Sequence, residues 1–138
     1  MIVFNYETPF ELPNEIQTQE WIQKVVADNG FEIGEINYVF CDDNYLHKLN
    51  VEFLNHYTLT DIISFDNTLG KLISGDIFIS IERVEENAKD FKVSFENELH
   101  RVMIHGVLHY MGYKDKSDDD KIKMRNAENQ ALSYINIW

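Results

Sequence analysis

Residues 94–112, SFENELHRVMIHGVLHYMG, constrain the fold more than any other stretch of this chain. Ser94 suits a helix N-cap, Glu96 and Glu98 fall in a first turn where the dipole favours acids, and Gly112 is a stop signal. On a helical wheel Phe95, Leu99, Val102, Met103, Gly106 and Tyr110 share one face, while Ile104, Leu108 and Met111 cover the opposite side. A helix apolar on both sides is largely buried. Glu98, His105 and His109 form a narrow polar stripe at the edge of the first face. A polar stripe on a buried helix must find partners or open onto a cleft.

The remaining elements frame that helix. Ile2–Tyr6 and Glu32–Cys41 read as strands. Between them the pattern predicts a helix over residues 18–28, with Thr18 as cap and Asn29-Gly30 as its end. Asp42 can cap a further helix, in which Tyr45, Leu46, Leu49, Phe53 and Leu54 recur at helical spacing. Residues 61–66 and 72–81 are β-rich runs around the turn-forming Asn67-Thr68-Leu69-Gly70, which predicts an antiparallel pair. A short charged helix follows over Ile81–Phe91, and a last one runs from its cap Ser117 to about residue 135. Strands alternating with helices, then helices in succession, indicate an α/β (α+β) layer fold. We expect a small mixed sheet of four strands, packed by about five helices, with the His stripe at the end of a buried central helix. Residues 1–138 carry no internal repeat and no Pro/Gly-rich linker, so one domain is expected.

Composition narrows the functional classes. Hydrophobic residues make up 44% of the 138, which excludes a disordered chain. Apolar runs such as residues 77–81 are too short to cross a bilayer, and the N-terminus lacks the pattern of a signal peptide. A single cysteine, Cys41, fits a reduced, cytoplasmic setting. The net charge of −12 argues against unspecific binding to nucleic acid or anionic lipid, and neither DNA nor a membrane is an expected partner. The cations are uneven, however: Lys114, Lys116, Lys121, Lys123 and Arg125 all follow the His stripe directly. They form either a solvated face balancing Asp118, Asp119 and Asp120 or a local anion-binding patch.

Two histidines four apart lie one helical turn apart and point the same way, so both imidazoles can share a cation. The pair alone is weak evidence in a chain with five histidines. Gly112 strengthens it, because the chain can turn there and bring Asp115 back to the same point. A His, His, Asp set leaves one tetrahedral position open, as catalytic rather than structural zinc sites do. Gly106 stands where H-E-x-x-H proteases carry their glutamate base, which disfavours peptide hydrolysis by that route.

HGVLHYMGYKD closely resembles the signature of the YbeY endoribonucleases, H-G-x-L-H-x-x-G-Y-D-H. Further blocks agree in order and spacing: Leu49-Asn50, Thr60-Asp61-Ile62-Ile63-Ser64-Phe65, Gly75-Asp76-Ile77-Phe78-Ile79-Ser80, Phe95…Glu98-Leu99 and Met124…Glu128. The resemblance implies a metal-dependent endoribonuclease that hydrolyses single-stranded RNA. Such proteins mature the 3′ end of small-subunit ribosomal RNA and act in ribosome quality control, so the small subunit or its assembly factors are expected partners. It implies one Zn²⁺ held by His105, His109 and Asp115, which then act in catalysis through that ion and its water. It departs from the family at two positions. Asp115 replaces the usual third histidine, and a carboxylate there shifts metal preference toward harder ions such as Mn²⁺ or Ni²⁺. Leu54 replaces an arginine suited to RNA phosphate, a role that Arg101, Lys114 or Lys116 would then take. No side chain of the signature is an obvious general base, so substrate phosphate, Asp61 or a second water is the candidate proton acceptor. Two other classes stay open: an assembly factor with a structural zinc, and a metallohydrolase of a peptide or amide bond.

Overall fold

The computed structural model describes residues 1–54 and 60–135, with Leu54 described in its backbone only. Four strands, β1 (Ile2–Tyr6), β2 (Glu32–Cys41), β3 (Ile62–Asp66) and β4 (Leu72–Ser80), form one sheet in the order β1-β2-β4-β3. β1 and β4 both run parallel to β2, and β3 pairs antiparallel with β4, so the sheet is mixed. Among the described residues five helices complete it: α1 (Glu15–Asp28), α2 (Asp43–Leu54), α3 (Ile81–Phe91), α4 (Phe95–Tyr110) and α5 (Asp118–Ser133). The α+β class, the four strands, the five helices and the antiparallel 61–81 hairpin follow the sequence pattern.

One boundary is corrected. α1 begins a turn earlier than Thr18, which is buried inside the helix. Asn14, in the left-handed conformation with φ 60°, presents its carbonyl oxygen to both the Thr18 amide (3.0 Å) and the Thr18 hydroxyl (2.9 Å). The hydroxyl that suggested a cap therefore bonds backward along the helix, as threonines inside helices do.

Alternation of side chains along the strands splits the apolar residues between two faces. On one face Ile36, Tyr38, Phe40, Ile73, Ile77 and Ile79 meet α1, α4 and α5 in the main core. On the other, Ile63, Phe65 and Phe78 meet α2 through Leu46 and Leu49. Leu99, Val102, Met103, Ile104, Val107 and Leu108 of α4 are all buried. At about 1.5–3 kcal/mol for each such side chain, α4 is firmly seated.

Polar bonds then set its position. Tyr38 donates its hydroxyl to Met103 O (2.9 Å) at mid-helix, and Trp21 Nε1–H donates to Ala131 O (2.8 Å), tying α1 to α5. At the C-terminal end the Tyr110 hydroxyl lies 3.0 Å from Phe65 O and 3.1 Å from Asp76 O and shares its proton between them. It fits over Gly75, where a Cβ would come within 2.4 Å of the hydroxyl. Gly106 gives a similar close approach, since a Cβ there would meet Ile77 and Ile62 at 3.0 and 3.2 Å. That glycine faces the sheet, so a glutamate base could not project from its position into a cleft. No helix among the described residues is long and apolar enough to cross a membrane.

Candidate metal centre

The polar stripe of α4 opens onto a cleft of about 500 Å³ between that helix and the edge strand β3. Thr60, Asp61, Ile62 and Ser64 form one wall, and Glu98, Arg101, His105 and His109 the other. Asp115 and the α5 residues Arg125 and Glu128 close one side.

Beyond α4 the chain turns at Gly112, whose φ of 97° suits glycine, and returns Asp115 to the histidines. His105 Nε2 and His109 Nε2 are 3.0 Å apart. Asp115 Oδ2 lies 3.4 Å from the first and 3.3 Å from the second. This near-equilateral triangle matches one face of a tetrahedron around a cation with bonds of about 2.0–2.1 Å, the range for zinc and imidazole.

The hydrogen bonds behind the rings orient them. His105 Nδ1 meets Glu128 Oε2 at 2.7 Å, and His109 Nδ1 meets Tyr113 O at 2.9 Å. A carboxylate and a carbonyl only accept, so each imidazole carries a proton on Nδ1, which leaves the inward-facing Nε2 as the atom that binds a cation when the ring is neutral. Two imidazole nitrogens and a carboxylate oxygen converge within 3.4 Å, so a positive charge, from protons or from a metal ion, is favoured among them. The donor set therefore fits a divalent cation.

Electrostatics around the ring agree. Burial draws the His105 pKa down, but the hydrogen bond and charge of Glu128, with the charges of Asp115 and Asp61, hold it above the usual imidazole value. Burial pushes Glu128 up, yet its bonds to His105 and Arg101 hold it below the usual carboxylate value. Arg101 Nη1 donates to Glu128 Oε1 (2.8 Å) and Nη2 to Asn129 Oδ1 (2.9 Å). Asp61, raised mainly by burial and opposed by its own backbone bond and by His105, accepts from Asn87 Nδ2 at 3.4 Å.

The four residues singled out for chemistry, His105, His109, Asp115 and Asp61, thus line one cleft. The three candidate RNA cations do not assemble there. Arg101 is present but bonded to Glu128 and Asn129, Lys114 lines a separate pocket, and Lys116 is exposed on the turn. Leu54, as a side chain, lies outside the described residues. Glu128, matched in the sequence only as part of the Met124…Glu128 block, is in register with the buried Met124, Ala131 and Leu132 and so is an acid on the inward stripe of α5.

A family model described as Endoribonuclease YbeY matches residues 4–136. A Flavobacterium johnsoniae protein named Endoribonuclease YbeY is 61% identical over 137 residues, covering 99% of each chain. Relatives of the same name from Christiangramia forsetii and Bacteroides thetaiotaomicron are 48% and 44% identical, over 99% and 85% of this chain and 95% and 85% of theirs. Among solved structures, the solution structure of TM1509 from Thermotoga maritima superposes with a TM-score of 0.71 at 25% identity, covering 99% of this chain and 92% of that one.

Proposed function

We propose, from the premise that this chain belongs to the YbeY endoribonuclease family, that it is a metal-dependent, single-strand-specific endoribonuclease. Its role is to mature the 3′ end of small-subunit ribosomal RNA and to act in ribosome quality control, with that subunit or its assembly factors as partners in the cytoplasm. The observation that carries the reading is the convergence of His105 Nε2, His109 Nε2 and Asp115 Oδ2, all within 4.8 Å of one another, in an open cleft. Asp115 is 46% exposed as a side chain, so the centre faces solvent as a reactive site must. A purely structural zinc is better served by a closed set of four ligands.

His105, His109 and Asp115 would hold the ion, for which zinc fits the two nitrogens and one oxygen. When bound, such an ion supplies Lewis-acid polarisation of a phosphoryl oxygen and acidifies the attacking water. Asp61 takes the proton: its Oδ2 is oriented by Asn87, and its raised pKa brings its basicity closer to neutral pH. Arg101 acts indirectly: its guanidinium donates to Glu128 and Asn129, and through Glu128 it positions His105. Arg125 is 57% exposed and reaches Glu128 only at 3.7 Å, which leaves it free to swing toward a phosphate at the cleft. Lys114 and Lys116 hold the strand beyond the turn.

The test joins metal analysis of the purified chain to cleavage of a single-stranded RNA, with and without chelator. We expect about one divalent ion per chain, cleavage that chelator abolishes, and loss of both in Asp115→Ala. Equal metal content in Asp115→Ala and the parent would refute the third ligand. Metal retention without cleavage would leave the assembly-factor reading, and cleavage of peptides but not RNA the amidohydrolase one.

A further inference from the structure

The cleft around the three ligands is acidic. Asp61, Glu98, Asp115 and Glu128 face only Arg101 and Arg125, so its hold on phosphate depends on the added cation. A second pocket of about 500 Å³ lies on the other side of the 112–115 turn. Met111, Gly112, the aromatic residues Phe31 and Tyr113, and the two lysines Lys114 and Lys123, which come from different elements, line it. The charges of both lysines act on Asp120, the single acid of the lining, so the pocket has an excess of positive charge in a chain of net charge −12. Lys71 adds a further cation, with Nζ 4.2 Å from the centre of the Phe31 ring.

Aromatic rings beside lysines, without a deep apolar interior, suit a nucleotide: a base against a ring and a phosphate against ammonium groups. The two sites also share a wall. Tyr113 lines this pocket and its carbonyl oxygen holds His109, and Lys114 lies between Tyr113 and the proposed ligand Asp115. We propose that this pocket is a second subsite, which binds one nucleotide of a single-stranded RNA whose neighbouring segment enters the metal cleft. It rests on the RNA-cleaving reading for the rest of the strand, but its own binding needs no metal.

The test uses the full chain in two arms. In the first, chelator-treated protein is titrated with adenosine monophosphate, with inorganic phosphate as control, while backbone amide shifts are followed. We expect saturable shifts at Phe31, Tyr113 and Lys123, a response to phosphate alone about tenfold weaker, and a loss of affinity of about tenfold in Lys123→Glu. In the second, metal-loaded Lys123→Glu cleaves an RNA of about ten nucleotides with KM raised about tenfold and kcat within about twofold of the parent, while an RNA of about three nucleotides is cut as before. Shifts absent from the pocket, or confined to the metal cleft, overturn the subsite. So does an equal effect of Lys123→Glu on both RNA lengths. If the parent cuts neither RNA while the pocket still binds nucleotide, the nuclease reading falls and the subsite stands.

Discussion

His105 and His109 sit one turn apart on α4, with ring centres 4.5 Å apart, and turn the same atom toward the same point. They differ in what stands behind them. His105 leans on a buried side-chain carboxylate, Glu128, which is itself clamped by Arg101. His109 leans on a backbone carbonyl of the turn that follows its own helix. The first support brings charge and makes its imidazole a stronger donor; the second brings orientation alone. It follows that one histidine is tuned by a residue far along the chain and the other by the local shape of the backbone.

The two histidines should be equal in one respect. His105→Ala and His109→Ala each remove a proposed ligand, and each should lose the ion and drop RNA cleavage on the order of 10³-fold, the worth of several kcal/mol of transition-state stabilisation. Metal content and single-turnover cleavage measure this, and a variant that keeps its ion would show that one histidine is dispensable.

Their supports should then separate them. Glu128→Gln should weaken metal affinity by about 10–100-fold, while Tyr113→Phe, which leaves the carbonyl in place, should stay within about twofold. Competition with a chromophoric chelator reads both, and equal losses would break the distinction. Glu128→Ala should also cost about 1.5–3 kcal/mol in denaturant unfolding of the metal-free chain, because Arg101 loses its ionised partner.

A backbone change reaches His109 instead. At Gly112 a Cβ meets nothing within 4 Å, so Gly112→Ala carries only the conformational cost of φ 97°, about 1–2 kcal/mol. Relaxing that strain moves the Tyr113 carbonyl, and metal affinity should fall a few-fold with the Glu128–His105 bond unchanged. An imidazole signal shift at His105 larger than at His109 would contradict this.

The smallest effect concerns Glu98, two turns earlier on the same stripe and only 4% exposed. Burial first, and the charge of Asp61 second, raise its pKa against the pull of Arg101 and Arg125. The folded state therefore resists ionising it: this penalty is full above the raised folded value and vanishes below the ordinary value of 4.5. Glu98→Gln should raise Tm of the metal-free chain by at most about 4 °C at pH 8, with the gain closing toward pH 4.5. Metal affinity should not change, which makes this variant a control for the two histidines.

Much of this was legible along the chain. The caps Ser94 and Ser117, the stop at Gly112 and the β-rich runs placed their elements within a residue or two, because caps and periodicity act over a few residues. The His pair and the returning Asp115 were legible for the same reason: all three candidate ligands lie within eleven consecutive positions, joined by one helix end and one turn. Thr18 misled because its hydroxyl had two local partners, and the left-handed Asn14 decided between them.

What the sequence by itself determined is therefore the type of each element and the identity of the candidate ligands, since both depend on short-range spacing. Only the tertiary structure decided what surrounds those ligands. It set the order β1-β2-β4-β3 that places Asp61 across from α4, joined His105 to an acid 23 residues away, and turned Arg101 from an expected phosphate contact into the clamp on that acid. Those pairings arise where separately formed faces of α4, α5 and β3 are packed together, and the burial that makes them strong exists only after packing.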